Sequence, residues 1–339
     1  MSDGEIDEAA LGRWLEANVE GFTGPFELKK FPSGQSNPTY RIIASSGEYV
    51  LRRKPFGSLL PSAHAIDREY RLLSALYPLD FPVPEPFALC DDEHVIGAIF
   101  YVMELARGRS YANGALPDFD PETRRNVYEQ LIDTLADLHC IDPERAGLGD
   151  FGKPGNYFER QVRRWTRQYR DSETDYVPEM ERLIAFLPET VPEQAGSSIV
   201  HGDYRIDNVL VDGDGTLSAV LDWELATLGD PLADFSYFAM QWAMPADGGA
   251  GLSGRDLGAL GIPTLAEVVE RYSARSGVRV ASSLDWYFAY NLFRLAGIVQ
   301  GIKKRVIDGT ASHSNAGEMA KRVPMLAQAA WRFAQRAGA

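Results

Sequence analysis

The segment His201-Gly202-Asp203-Tyr204-Arg205-Ile206-Asp207-Asn208, followed by a punctuated apolar stretch and Asp222-Trp223-Glu224, constrains this chain most. Val209-Leu210-Val211 is a short apolar run, Asp212-Gly213-Asp214-Gly215 is turn chemistry, and Thr216–Leu221 is apolar again. That order predicts a β-hairpin with an Asp-Gly loop. With Asp214-Gly215 as a two-residue loop, Asn208 faces Leu221, next door to Asp222, and cross-strand neighbours lie about 5 Å apart. A loop at Asp212-Gly213 would slide that pairing. In the first register an amide oxygen and a carboxylate can share one hard cation. Mg²⁺ takes oxygen ligands and usually substrate phosphates as well.

The pattern H-G-D-x-x-x-x-N has the Asp-to-Asn spacing of the kinase catalytic loop H-R-D-x-x-x-x-N, with Gly202 where Arg stands. Together with Asp222-Trp223-Glu224 and Gly229-Asp230-Pro231-Leu232-Ala233-Asp234, it resembles the aminoglycoside phosphotransferase family of small-molecule kinases. The branch it looks most like is the kinase-like domain also found fused to acyl-CoA dehydrogenases. The resemblance runs from about the Gly34 loop to the helices beyond Asp234.

It implies an α+β, bilobal, protein-kinase-like fold. A small N-lobe of antiparallel sheet plus helix would span residues 1–104, and a larger, mainly helical C-lobe residues 105–339. It also implies ATP and Mg²⁺, with Asp203 accepting the proton of a substrate hydroxyl and Asn208 and Asp222 holding the metal. Asp207 is expected to point elsewhere, and His201 to pack within the loop. Asp234 resembles the family's support for the catalytic-loop backbone, with a cap at Asp230 and simple burial of Asp234 as alternatives.

Along the chain, Ile6, Leu11, Leu15 and Val19 recur at helical spacing and predict an opening helix over 5–20. Phe26–Ile43 reads as strand, loop, strand. The loop residues Gly34, Gln35, Ser36 and Asn37 could cover a nucleotide's phosphates or form a plain turn. Glu48–Arg52 is the next strand, and Ala65–Leu76 an amphipathic helix. By resemblance, Arg52 stands where kinases place Lys, and Glu69 where they place the helix Glu, so an Arg52–Glu69 ion pair is expected. Strand alternation sends Arg52 and Lys54 to one face and Arg53 to the other, and Arg53 or Lys54 could take the role instead. Phe81–Pro86 is a stiff connector, and Phe87–Cys90 and Ile96–Met103 are two further strands. The hinge then follows, and the resemblance places adenine-binding backbone near Glu104–Ala106.

Asp120 with Pro121 predicts a helix start, and His139 reads as a helix-end residue. In the helix over 155–170, Arg160, Arg163, Arg164 and Arg167 share one face, either an anion site or a solvated row. Residues 244–263 are a lid or a surface loop. Thr264–Ser276, Leu284–Val306 and Glu318–Arg336 read as closing helices, in which the resemblance makes Trp286, Tyr290, Arg294 and Lys303 candidates for lining the cleft.

Net charge is −14 over 339 residues, which disfavours a nucleic-acid partner. No apolar stretch is long enough to span a membrane, and the acidic start does not read as a signal peptide. The two cysteines, Cys90 and Cys140, fit a reducing cytoplasm. No Walker motif G-x-x-x-x-G-K-[ST] occurs. The expected reaction is ATP/Mg-dependent phosphorylation of a small hydroxylated molecule, hydroxyacyl-CoA or aminoglycoside-like. The alternative is a nucleotide-binding pseudokinase scaffold without turnover.

Overall fold

Alternation along the third strand sets the architecture. In the computed structural model, which describes residues 6–31, 37–56, 66–246, 249–309 and 316–339, α1 (Glu8–Asn18) precedes β1 (Phe26–Lys30), β2 (Thr39–Ala44) and β3 (Gly47–Arg53). Then come α2 (Ile66–Leu76), β4 (Pro86–Cys90) and β5 (Phe100–Glu104). The five strands form one antiparallel sheet in the order β1-β2-β3-β5-β4. Tyr49 and Leu51 of β3 join Leu11 and Leu15 of α1 and the following Val19 in a core on the outer face. Val50 points the other way, into the main core with Leu72, Leu73 and Leu76 of α2. Period-2 geometry therefore delivers Arg52 to the inner face and Arg53 to the outer, where Arg53 lies over the Phe56 ring at 3.7 Å.

The second lobe contains α3 (Pro121–Cys140), α4 (Tyr157–Ser172), α5 (Pro178–Glu189), β6 (Ser198–Val200), β7 (Val209–Val211), β8 (Leu217–Val220) and β9 (Thr227–Gly229). It closes with α6 (Pro231–Ala239), α7 (Leu257–Leu260), α8 (Leu265–Ser276), α9 (Asp285–Ile307), α10 (Ala316–Ala320) and α11 (Val323–Arg336). Asp120 caps α3 by accepting from Thr123 N, with Pro121 in the first turn. Thr264 and Glu267 form a capping box on α8. The short ladder β6–β9 has a buried Ile199 and Leu228, and the chain between its two strands carries the whole polar segment.

One expectation about elements changes, and two regions left open are now defined. The helix read over Glu318–Arg336 is two, because the turn at Lys321-Arg322 separates α10 from α11 and Pro324 sits in the first turn of α11. The helix α5 was not anticipated, and it carries Pro188 near its end. Much of 249–263 is tied down: Leu252 N donates to Gln241 O at 2.8 Å, Ser253 N to Met244 O at 2.9 Å, and Trp242 Nε1 to Pro263 O at 2.7 Å. Among the described residues no helix is long and apolar enough to cross a membrane. Both cysteines are free.

Candidate active site

The hairpin β7–β8 takes the favoured register by a different turn. Val209 pairs with Val220 and Leu210 with Ala219, and Leu221 N donates to Asn208 O at 2.8 Å. The loop is not the two residues Asp214-Gly215. Asp212 N donates to Thr216 O, Gly215 N to Asp212 O, and Gly215 has φ +87°, so three residues turn the chain. A bulge at Leu210/Val211 then restores the pairing that sets Asn208 beside Leu221. Asp222 follows in the left-handed region at φ +66°, a conformation that Asp tolerates better than most residues.

Around this hairpin lies a cavity of about 470 Å³ between the lobes. Arg52 and Glu69 line one wall, Asn208 and Asp222 another, and Glu104, Leu105 and Ala106 the hinge edge. The hinge is fixed to the hairpin, since Arg109 and Val211 exchange backbone hydrogen bonds of 3.1 and 3.0 Å. Asp203 stands beyond the cavity wall but joined to it: Asn208 Nδ2 donates to Asp203 Oδ2 and to Asp203 O, each at 2.9 Å. The amide nitrogen of Asn208 is thereby engaged, and its amide oxygen is the acceptor end. Gly34, Gln35 and Ser36 fall outside the described residues. Asn37 is buried, its carbonyl accepting from Thr39 Oγ1 at 3.0 Å, and does not line the cavity.

The Arg52–Glu69 pair forms as expected, Arg52 Nε donating to Glu69 Oε2 at 2.9 Å. The same guanidinium also reaches Asp222 Oδ1 at 3.0 Å and lies 3.7 Å from Glu224. Burial pulls the Arg52 pKa down, but Glu69, Tyr101, Asp222 and Glu224 outweigh it, so it stays above its usual value. Burial raises the Glu69 carboxyl even with Arg52 beside it.

The loop backbone is held from below. Asp234, almost fully buried, accepts from His201 N and from Gly202 N. Burial acts to raise its pKa, yet His139, His201 and the Gly202 N–H hold it below the ordinary carboxylate value. Asp230 acts as a cap, accepting from Leu232 N and Ala195 N, so both acidic residues have separate duties. His139 is more than a helix end: its Nε2 lies 3.5 Å from Asp234 and its Nδ1 2.6 Å from the Tyr272 hydroxyl. Gly202 is required as glycine, because at φ +85° a Cβ would meet Leu225 O at 2.9 Å. His201 packs as expected, its ring 4.5 Å from Trp223 and Nε2 2.8 Å from Leu221 O.

Sequence reasoning missed Asp207 and Tyr237 as neighbours, whereas Arg294 was already among its candidates. Asp207 does face the cavity, 2.8 Å from Arg205. It does so because Ile206–Asn208 is a 3₁₀ turn, where consecutive residues do not alternate as in a strand. Tyr237 lies beside Asp203, its hydroxyl raised by burial and by that carboxylate. Arg294 reaches the loop, its Nη2 donating to Gly202 O at 2.7 Å. Lys303 pairs with Asp175, Trp286 donates to Thr190 Oγ1, and Tyr290 is buried.

A scan against family models matches residues 27–279 to the phosphotransferase enzyme family. The chain belongs to that family. A candidate aminoglycoside phosphotransferase from Ralstonia eutropha is 43% identical with a TM-score of 0.90, covering 98% of this chain and 99% of that one. A mutant of aminoglycoside phosphotransferase APH(4)-Ia, in complex with AMP-PNP and hygromycin B, shares the fold at TM-score 0.61 and 17% identity, covering 96% and 98%. Mouse acyl-CoA dehydrogenase family member 10 is 42% identical over 98% of this chain and 32% of its own length. Chicken acyl-CoA dehydrogenase family member 11 is 37% identical over 95% of this chain and 43% of its own. The chain therefore spans less than half of these curated relatives, which fits the resemblance to the kinase-like part of such fusions. The two lobes, with the polar segment carried by the second, are those of the phosphotransferase fold.

Proposed function

We propose that this phosphotransferase moves the γ-phosphoryl group of ATP to a hydroxyl of a small molecule, with Mg²⁺ present. The observation that carries the reading is the meeting of Asn208 and Asp222 beside the Arg52–Glu69 pair at the wall of an interlobe cavity. One amide oxygen and one carboxylate suit Mg²⁺, which is commonly held by one or two protein groups plus phosphates. Bound there, Mg²⁺ would offset charge on the phosphate oxygens. Arg52 would turn from Asp222 toward the nucleotide phosphates while Glu69 keeps its Nε. The hinge backbone at Glu104–Ala106 would take the base. Asp203, oriented by Asn208, would hold the acceptor hydroxyl and take its proton.

The acceptor follows from weaker pointers. Relatives named as acyl-CoA dehydrogenase family members support a hydroxyacyl-CoA, and a neighbour with hygromycin B an aminoglycoside. On α4, Arg160 folds back onto the carbonyls of Lys153 and Gly155, but Arg163, Arg164 and Arg167 form no ion pair among the described residues. Arg163 and Arg167 line a separate pocket with Glu159, Ile184 and Val191, so they carry no argument about the acceptor. The test offers γ-labelled ATP with hydroxyacyl-CoAs and aminoglycosides, and reads the labelled product by mass spectrometry. Transfer to one class supports the reading. Nucleotide binding without transfer to any acceptor would favour a scaffold.

A further inference from the structure

Arg205 occupies a place that no step above uses. Its Nε lies 3.5 Å from Asp203 Oδ2, and its Nη2 lies 2.8 Å from Asp207 Oδ2. Asp207 lines the nucleotide-sized cavity and Asp203 does not. The guanidinium therefore spans from the cavity side to the residue assigned to the acceptor, the path a transferred group must follow. Its backbone is extended, and Asn208 N closes the following 3₁₀ turn onto Arg205 O at 2.9 Å. The second oxygen of Asp207, Oδ1, is buried with no hydrogen-bond partner among the described residues. A carboxylate kept at that cost, with its other oxygen on Arg205, suits a residue that aims a cation.

We propose that Arg205 is a further catalytic residue, donating to the phosphoryl group as it crosses, and that Asp207 is a positioning residue that aims it. The proposal rests on the phosphotransferase reading above. In the step, the acceptor oxygen bonds to phosphorus as the bond from phosphorus to the bridging oxygen breaks. The nucleoside diphosphate leaves with that electron pair, and the acceptor's proton passes to Asp203. Charge is then spread over three equatorial oxygens, where a planar guanidinium can give two parallel hydrogen bonds. Arg205 serves the crossing group, whereas Arg52 serves the phosphates that stay behind.

The test compares two probes by calorimetry: Mg²⁺ with AMP-PNP, a ground-state mimic, and Mg²⁺ with ADP and aluminium fluoride, a mimic of the group in flight. Arg205→Ala should bind AMP-PNP within about threefold of the parent chain and lose at least about tenfold for the aluminium fluoride complex. Arg205→Lys should recover part of that loss. Asp207→Asn should shift the same probe in the same direction by less. Equal losses for both probes, or no loss for either, in folded Arg205→Ala and Arg205→Lys would overturn the proposal. If the parent chain binds neither probe, the phosphotransferase reading fails and takes this inference with it. If the parent binds both and the variants match it, only the role of Arg205 fails.

Discussion

One guanidinium at position 52 meets Glu69 with Nε and Asp222 with Nη2, which a lysine ammonium cannot do with the same fixed fork. Removing it leaves Glu69 buried without its cation. Arg52→Ala should therefore destabilise the chain by about 3 kcal/mol in denaturant titrations. It should also weaken AMP-PNP binding at least about tenfold by calorimetry. Asp203→Asn should keep nucleotide affinity but lower turnover by at least about a hundredfold. Near-normal turnover in that variant would remove Asp203 from the proton-accepting role. The Arg52–Glu69 pair was expected from the resemblance to the kinase strand and helix, and strand alternation added only that Arg52 and Arg53 face opposite ways. Arg205, Asp207 and Tyr237 were not, because a 3₁₀ turn and a packed helix bring them in through tertiary geometry.

At the scale of elements, the segment from His201 to Asn208 hangs on the start of α6. Asp234 ties two backbone amides of the loop to α6 and lies within 3.5 Å of His139 on α3. Asp234→Asn keeps the shape and removes the charge, and should cost about 3 kcal/mol at pH 7. The folded pKa of Asp234 lies below its ordinary 3.8. Its charge therefore adds stability above that value, and the contribution fades as pH falls through the lower folded one. Melting curves should show the gap between parent and variant narrowing below about pH 4. A gap that stays constant down to pH 3 would show that the charge is not what holds the loop. The hairpin's turn residues were readable, and the register came out right. The loop length did not, because the turn takes three residues and the irregularity at Leu210/Val211 restores the pairing at the far end of the ladder. Periodicity found most helices, but α5 was missed although Pro178 at its first position and Glu179 and Glu181 in its first turn are start signals, because Val177 offers no capping oxygen and Pro188 interrupts its end.

Over the whole molecule, the cavity is shared by both lobes, so a ligand bound there links them. A nucleotide at 100 times its Kd should stabilise the chain by about 2.7 kcal/mol, read as a rise in Tm. Asn208→Ala and Asp222→Ala should lose the part of that rise that depends on Mg²⁺. A rise independent of Mg²⁺ in the parent chain would place the metal elsewhere. The two-lobed plan was visible in the motif order, whereas the acceptor was not, since none of the motifs read in the chain names one. The most direct measurement is a crystal structure with Mn²⁺ and AMP-PNP, locating the metal by its anomalous signal. The account predicts the metal at about 2.1–2.2 Å from oxygens of Asn208 and Asp222, with the γ-phosphate toward Asp203. A metal bound away from both residues, or a nucleotide outside the interlobe cavity, would contradict it.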